Sequence, residues 1–183
     1  MKFIILPVLA ILSLVLVSCG PGVDLPKGTH KGYASARLTL RNPNLPARTN
    51  PTELGIHGMI QDSLRRQFTA KGLAYGPANA DLVVAYLVIY QETGMTTSYQ
   101  DYFGYGRPAD AITDRAHDRG VVQSKRPDYF QRAGIVIDII DSRTNKLVYR
   151  NFAAGDVIRG ASGKTRAARI DAAVAQALSG FFR

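Results

Sequence analysis

The side chains in this sequence able to do chemistry are few, and most stand in patterns that do not complete a site. Gly160-Ala161-Ser162-Gly163-Lys164-Thr165 ends like a phosphate-binding loop and lies between a predicted strand and a predicted helix. The motif fails because its first glycine belongs five residues before Gly163, where Ile158 stands. A helix-capping turn, with Ser162 or a neighbouring residue as the cap, explains the same residues. Asp114, His117 and Asp118 share one polar run, but Arg115 and Arg119 oppose a cation there and no second histidine is placed beside them. No serine sits in a nucleophile elbow, and Asp138 and Asp141 fit the edges of a strand. The expectation is therefore a protein without catalytic residues, metal or cofactor.

Cys19 is the exception. It is the only cysteine of the 183 residues and follows a short positive start at Lys2 and an apolar run over residues 3–17. That is the layout of a secretory signal peptide, and the run is short for a membrane span. Leu16-Val17-Ser18-Cys19, a small residue before a cysteine with leucine three positions back, resembles the lipobox of bacterial lipoproteins. The resemblance implies a diacylglyceryl thioether on Cys19, cleavage before it, and acylation of the new amino terminus. Two or more acyl chains give stable anchoring where one does not. By the same resemblance Gly20, standing where inner-membrane lipoproteins often carry Asp, favours the outer membrane, facing the periplasm.

Charge then narrows the partners. Twenty-three Lys and Arg against 14 Asp and Glu give +9, and removal of Lys2 with the signal leaves 22 against 14, or +8. A basic surface attracts acidic partners. Behind a lipoprotein signal these are phospholipid head groups, lipopolysaccharide and cell-wall polymers, not nucleic acid or nucleotides. With Cys19 lipidated no thiol remains, so the core must hold without disulfides.

The elements that would position any site read as one domain. Residues 1–18 are the signal and 19–32 a glycine- and proline-rich tether, with a coil reach of about 20 Å over its last 13 residues. Residues 33–183 form a single domain. Residues 33–41 alternate, Ala34, Ala36, Leu38 and Leu40 against Ser35, Arg37, Thr39 and Arg41, as a half-buried strand. Asn50, Pro51 and Glu53 start a helix, Ile56, Met59, Ile60, Leu64 and Phe68 form its apolar stripe, and Gly72 closes it. Residues 81–92 are apolar on both faces, as a strand in the middle of a sheet must be. Residues 129–141 and 146–154 make a hairpin around 141–145, and 164–182 a second amphipathic helix through Ile170, Val174, Leu178 and Phe181. The pattern is an α+β fold, a mainly antiparallel sheet with two amphipathic helices packed on one face.

Between the strands, residues 93–128 lose periodicity and read as a long insert. Tyr99, Tyr102, Phe103 and Tyr105 stand among glycines and a proline, flanked by Arg107, Arg115, Arg119, Lys125, Arg126 and Arg132. Such rings either supply amphipathic contact area for a partner or cover the apolar sheet face as a satellite core. Tyr99, Tyr102, Phe103, Tyr105 and Arg107 are the candidate partner-binding residues.

Lys71-Gly72-Leu73, Ala80-Asp81-Leu82-Val83-Val84, Ile137-Asp138-Ile139-Ile140-Asp141 with Lys146-Leu147-Val148-Tyr149-Arg150, and an alanine-rich last helix accompany the lipobox. Together they resemble the lipoproteins grouped as the domain-of-unknown-function 4136 family. The resemblance implies fold and location and assigns no activity. The functional expectation is a non-enzymatic, membrane-anchored envelope lipoprotein that binds a protein or an acidic cell-wall or lipid partner. The alternatives are an envelope hydrolase or lipid-modifying enzyme, and a carrier of a small apolar ligand.

Overall fold

The computed structural model describes residues 25–92, 95–104, 109–119 and 132–183. Cys19 and residues 1–18, with Tyr105, Arg107, Lys125 and Arg126, lie outside the described residues. The elements in order are β1 (Ser35–Leu38), α1 (Pro51–Ala70), β2 (Ala74–Tyr75), β3 (Leu82–Glu92), β4 (Met95–Tyr102), α2 (Ala109–Asp118), β5 (Arg132–Asp141), β6 (Lys146–Asp156) and α3 (Gly163–Leu178). They form a mixed α/β fold around one six-stranded sheet ordered β2-β1-β3-β5-β6, with β4 also paired to β3. Pairing is antiparallel except where β1 meets β2 and β3. One edge of β3 is shared: its start pairs with β1 over Leu82 to Val84, and its later half pairs with β4.

Local chemistry sets the helix limits. The Asn50 side chain accepts hydrogen bonds from the backbone N–H of Thr52 (2.9 Å) and Glu53 (3.4 Å), and Pro51 opens the first turn of α1. At the other end Gly72 takes φ +82°, and the Leu73 N–H reaches back to the Phe68 carbonyl (3.1 Å). Ser162 caps α3 by accepting from the Thr165 N–H at 3.1 Å. The β5–β6 turn carries Asn145 at φ 55° and is closed by the Thr144 N–H on Asp141 (2.8 Å).

The doubly apolar β3 divides the core. Leu82, Val84, Tyr86 and Val88 pack with Ile60, Leu64 and Phe68 of α1 and with Val174, Ala177 and Leu178 of α3. Val83, Ala85, Leu87 and Ile89 pack with Phe103 and with Ala109, Ile112 and Ala116 of α2. Burial of each large apolar side chain contributes about 1.5–3 kcal/mol relative to exposure.

Three expectations need correction. The 93–128 stretch is not one structureless insert: it contains β4 and α2, so the described residues form three helices where the sequence suggested two. β4 is mostly Thr, Ser, Gln and Asp, and the buried stripe of α2 is two alanines and an isoleucine, which makes both periods faint. The first strand is also shorter than residues 33–41. Leu40 is 82% exposed and Thr39 only 7%, because pairing ends with the Thr39 N–H on the Val84 carbonyl and Asn42 then turns to the Asp101 carbonyl. Finally, residues 25–32, the latter part of the expected tether, lie along the edge of β6. The Gly28 N–H bonds the Val148 carbonyl (2.8 Å), the Arg150 N–H bonds the Pro26 carbonyl (3.2 Å), and His30 bonds the Phe181 carbonyl. Gly28 is required there, since a Cβ would run into the Val148 carbonyl oxygen.

Candidate functional site

Pairing register arranges the α1/α3 side of the sheet in rows. Val84, Ile139 and Tyr149 lie side by side, then Tyr86, Ile137 and Asn151, then Val88, Ile135 and Ala153, then Tyr90, Ala133 and Gly155. Along β6 the inward residues therefore shrink from Tyr149 through Asn151 and Ala153 to Gly155. Above the large end the helices are closed together. Phe68 packs against Phe181 and Phe182, with centroids 6.2 and 5.1 Å apart, and the Tyr149 hydroxyl donates to the Ala177 carbonyl at 2.7 Å. Ser63 and Arg66 of α1 hold Asp171 of α3, at 2.6 and 2.8 Å.

Over the small end the rows leave a cleft of about 360 Å³. Its floor is Val88, Tyr90, Ala133, Ile135, Ala153 and Gly155; one wall is Ile56, His57 and Ile60 of α1, the other Ile170, Ala173 and Gln176 of α3. Arg48, Glu53, Tyr99, Asp156, Arg166 and Arg169 stand around it. The size falls within the range of small-molecule sites, about 300–1,000 Å³, and the apolar lining with a few polar groups is their usual composition.

The polar groups on the α1 side are largely engaged with one another. Asp101 on β4 binds Arg48 (2.5 Å) and Arg41 (2.9 Å), and these arginines, Arg48 foremost, hold its carboxyl down at about 2. Arg48 also pairs with Glu53 at 3.2 Å and lies over the Tyr99 ring at 5.3 Å. His57 is 4% exposed, and its Nδ1 stands 2.6 Å from the Tyr86 hydroxyl. Burial, reinforced by the charge of Arg48, lowers its pKa to about 4, so the ring is neutral at pH 7. Gln61 also donates to the Tyr86 oxygen at 3.3 Å. The other ring nitrogen, Nε2, is buried without a partner among the described residues.

The sequence-derived binding residues separate in the fold. Tyr99 borders the cleft, and Tyr102 stacks on Tyr86 at 5.3 Å and approaches His57 at 5.6 Å. Phe103 is buried in the second core with α2. Tyr105, Arg107 and Cys19 lie outside the described residues. Asp114, His117 and Asp118 fall on α2, where Asp118 pairs with Arg115 at 3.5 Å. Among the described residues no three His, Cys, Asp or Glu side chains stand close enough to hold a metal. Sequence reasoning missed His57, although its place three residues before Ile60 and seven before Leu64 sets it on the buried stripe. It also missed the floor, which exists only through pairing among three strands distant in sequence.

A family model described as a domain of unknown function, DUF4136, matches residues 52–181, and the chain belongs to that family. No curated protein matches the chain. Two solved structures similar to it are PelC dodecamers from Paraburkholderia phytofirmans. One is 15% identical, with 88% of this chain and 93% of that chain covered and a TM-score of 0.40. The other is 14% identical, with 88% and 94% covered and a TM-score of 0.40.

Proposed function

We propose that this DUF4136 protein is a non-enzymatic, lipid-anchored envelope protein whose domain carries an apolar ligand in the cleft between α1 and α3. The anchor is a diacylglyceryl thioether on Cys19, with the outer membrane as the site and the domain facing the periplasm. The observation that carries the reading is the cleft itself: a cavity of about 360 Å³ with an apolar floor, set where the first core would otherwise close. Reading the protein as a module that presents an open sheet face to a protein partner has less support. Val83, Ala85, Leu87 and Ile89, the residues such a partner would cover, are already packed under α2 and Phe103. Turnover has less support, since Arg48 and Glu53 are paired with each other and the described residues lining the cleft include no serine, threonine, cysteine or lysine.

The carrier reading is tested with a neutral apolar fluorophore, N-phenyl-1-naphthylamine, titrated into the full chain carrying Cys19→Ser. Saturable enhancement is expected in this background and its loss in Ala153→Phe, with the unfolding midpoint retained. Ala133→Leu serves as a smaller plug in case the phenylalanine disturbs folding. Equal fluorescence in both plugged and open chains overturns the reading. Anchoring is tested separately: Cys19→Ser should abolish incorporation of labelled palmitate and release the protein from membranes, and retention of both sinks the anchor.

A further inference from the structure

We infer that the ligand is a single-chain amphiphile with an anionic head, a fatty-acid carboxylate, its tail along the sheet floor and its head at Arg166 and Arg169. The inference rests on the carrier reading and adds the chemical class. Its basis is the cationic excess around the cleft, where Arg48, Arg166 and Arg169 stand against Glu53 and Asp156. Arg48 is saturated by Asp101 and Glu53. Arg166, on the first turn of α3, lines the cleft, and no ion pair to it is found among the described residues. Arg169 lies across the small end of the floor, its Nη2 3.5 Å from where a Gly155 Cβ would stand, and donates there to the Asp156 carbonyl at 2.6 Å. A guanidinium has five N–H donors in a fork that matches a carboxylate, so most of those on Arg169 are left for a ligand.

Cationic side chains at the α3 rim select an anionic group and disfavour an ammonium head. The missing side chain at Gly155 seats the Arg169 guanidinium, and the small methyl at Ala153 gives the tail its path inward over Ile135 and Val88. About 360 Å³ lies at the small end of ligand cavities, room for one acyl chain rather than two.

The test is displacement of N-phenyl-1-naphthylamine from the full Cys19→Ser chain by three twelve-carbon competitors below their micelle concentrations: dodecanoate, dodecanol and dodecyltrimethylammonium. Dodecanoate should displace the probe at a concentration at least tenfold lower than dodecanol, and the ammonium should be weakest. Arg166→Gln with Arg169→Gln should bring dodecanoate to the level of dodecanol and leave dodecanol unchanged. Equal displacement by dodecanoate and dodecanol, or a preference that survives the arginine changes, overturns the inference and leaves the carrier reading standing. Absence of saturable probe binding overturns the carrier reading itself.

Discussion

The closed end of the α1/α3 wedge depends on a contact that leaves no room for one methyl group. A Cβ on Gly180 would stand 2.9 Å from the Tyr149 hydroxyl oxygen and 3.3 Å from its Cε2. Tyr149 is fully buried and cannot retreat, since its hydroxyl donates to Ala177 and its ring packs on Phe181 with centroids 5.4 Å apart. Gly180 is not in the left-handed region, so Gly180→Ala carries no backbone strain and gains about 0.4–1 kcal/mol from the unfolded chain. Against this, overpacking costs about 1–3 kcal/mol, so a net loss of about 1–2 kcal/mol is expected. Tyr149→Phe alone should cost about 1 kcal/mol, because the Ala177 carbonyl keeps the Asn151 amide at 3.1 Å. Combined, the two changes should be less than additive by about 1 kcal/mol, since removing the hydroxyl removes the worst overlap. Urea unfolding of the four chains of this cycle, with the slope unchanged, measures the coupling. Additivity within about 0.5 kcal/mol, or a neutral Gly180→Ala, would refute this packing argument.

Other perturbations address the polar core and the sheet edge. His57, lowered from 6.5 to about 4, is protonated more readily in the unfolded chain, so stability is full above pH 6.5 and falls as pH drops toward 4. His57→Gln should flatten that limb in pH-dependent melting and leave the lower one, between 3.8 and about 2, set by Asp101. Asp138, buried on the α2 side, receives a bidentate bond from the equally buried Arg150, whose Nε lies at 2.6 Å. Asp138→Ala should cost about 3–5 kcal/mol in denaturant unfolding by stranding the guanidinium, and Asp138→Leu with Arg150→Met should recover most of it. Gly28→Ala should detach residues 25–32 from β6, seen as faster amide exchange at Gly28 and Arg150 with the helices unaffected.

What was legible in the sequence was whatever local chemistry dictates. Asn50, Pro51 and Gly72 mark α1, Ser162 marks α3, and the alternation on both faces of residues 81–92 places β3 in the middle of the sheet. Features that depend on distant partners were not legible. Residues 25–32 have no apolar period because they meet β6 through backbone groups, using Gly28 for a close approach, with His30 and Lys27 adding only isolated contacts to Phe181 and Tyr149. The α2 stripe hides in alanines, which are buried by the neighbourhood of Phe103 and Ile89 and carry little hydrophobic signal of their own. The candidate partner residues were legible as aromatic, but their placement was not: a strand alternates its sides, and the chain leaves β4 between Tyr102 and Phe103, so adjacent rings serve different cores.

The cleft shows the same dependence in its sharpest form. Tyr149, Asn151, Ala153 and Gly155 are alternate residues of one strand, and in sequence their decreasing size means nothing by itself. Pairing to Ile139, Ile137, Ile135 and Ala133 turns that decrease into a floor that falls away beneath two helices held together at one end. The closed and open ends of the wedge thereby lie at opposite ends of one strand. Substitutions at the Tyr149 end loosen the wedge and lower stability, whereas enlarging Ala153 or Gly155 narrows the cleft. A protein selected only for stability would place larger apolar residues at those two positions, since filling a cavity adds contacts and removes its cost. Keeping them small costs stability, and that cost is consistent with the cleft having an occupant.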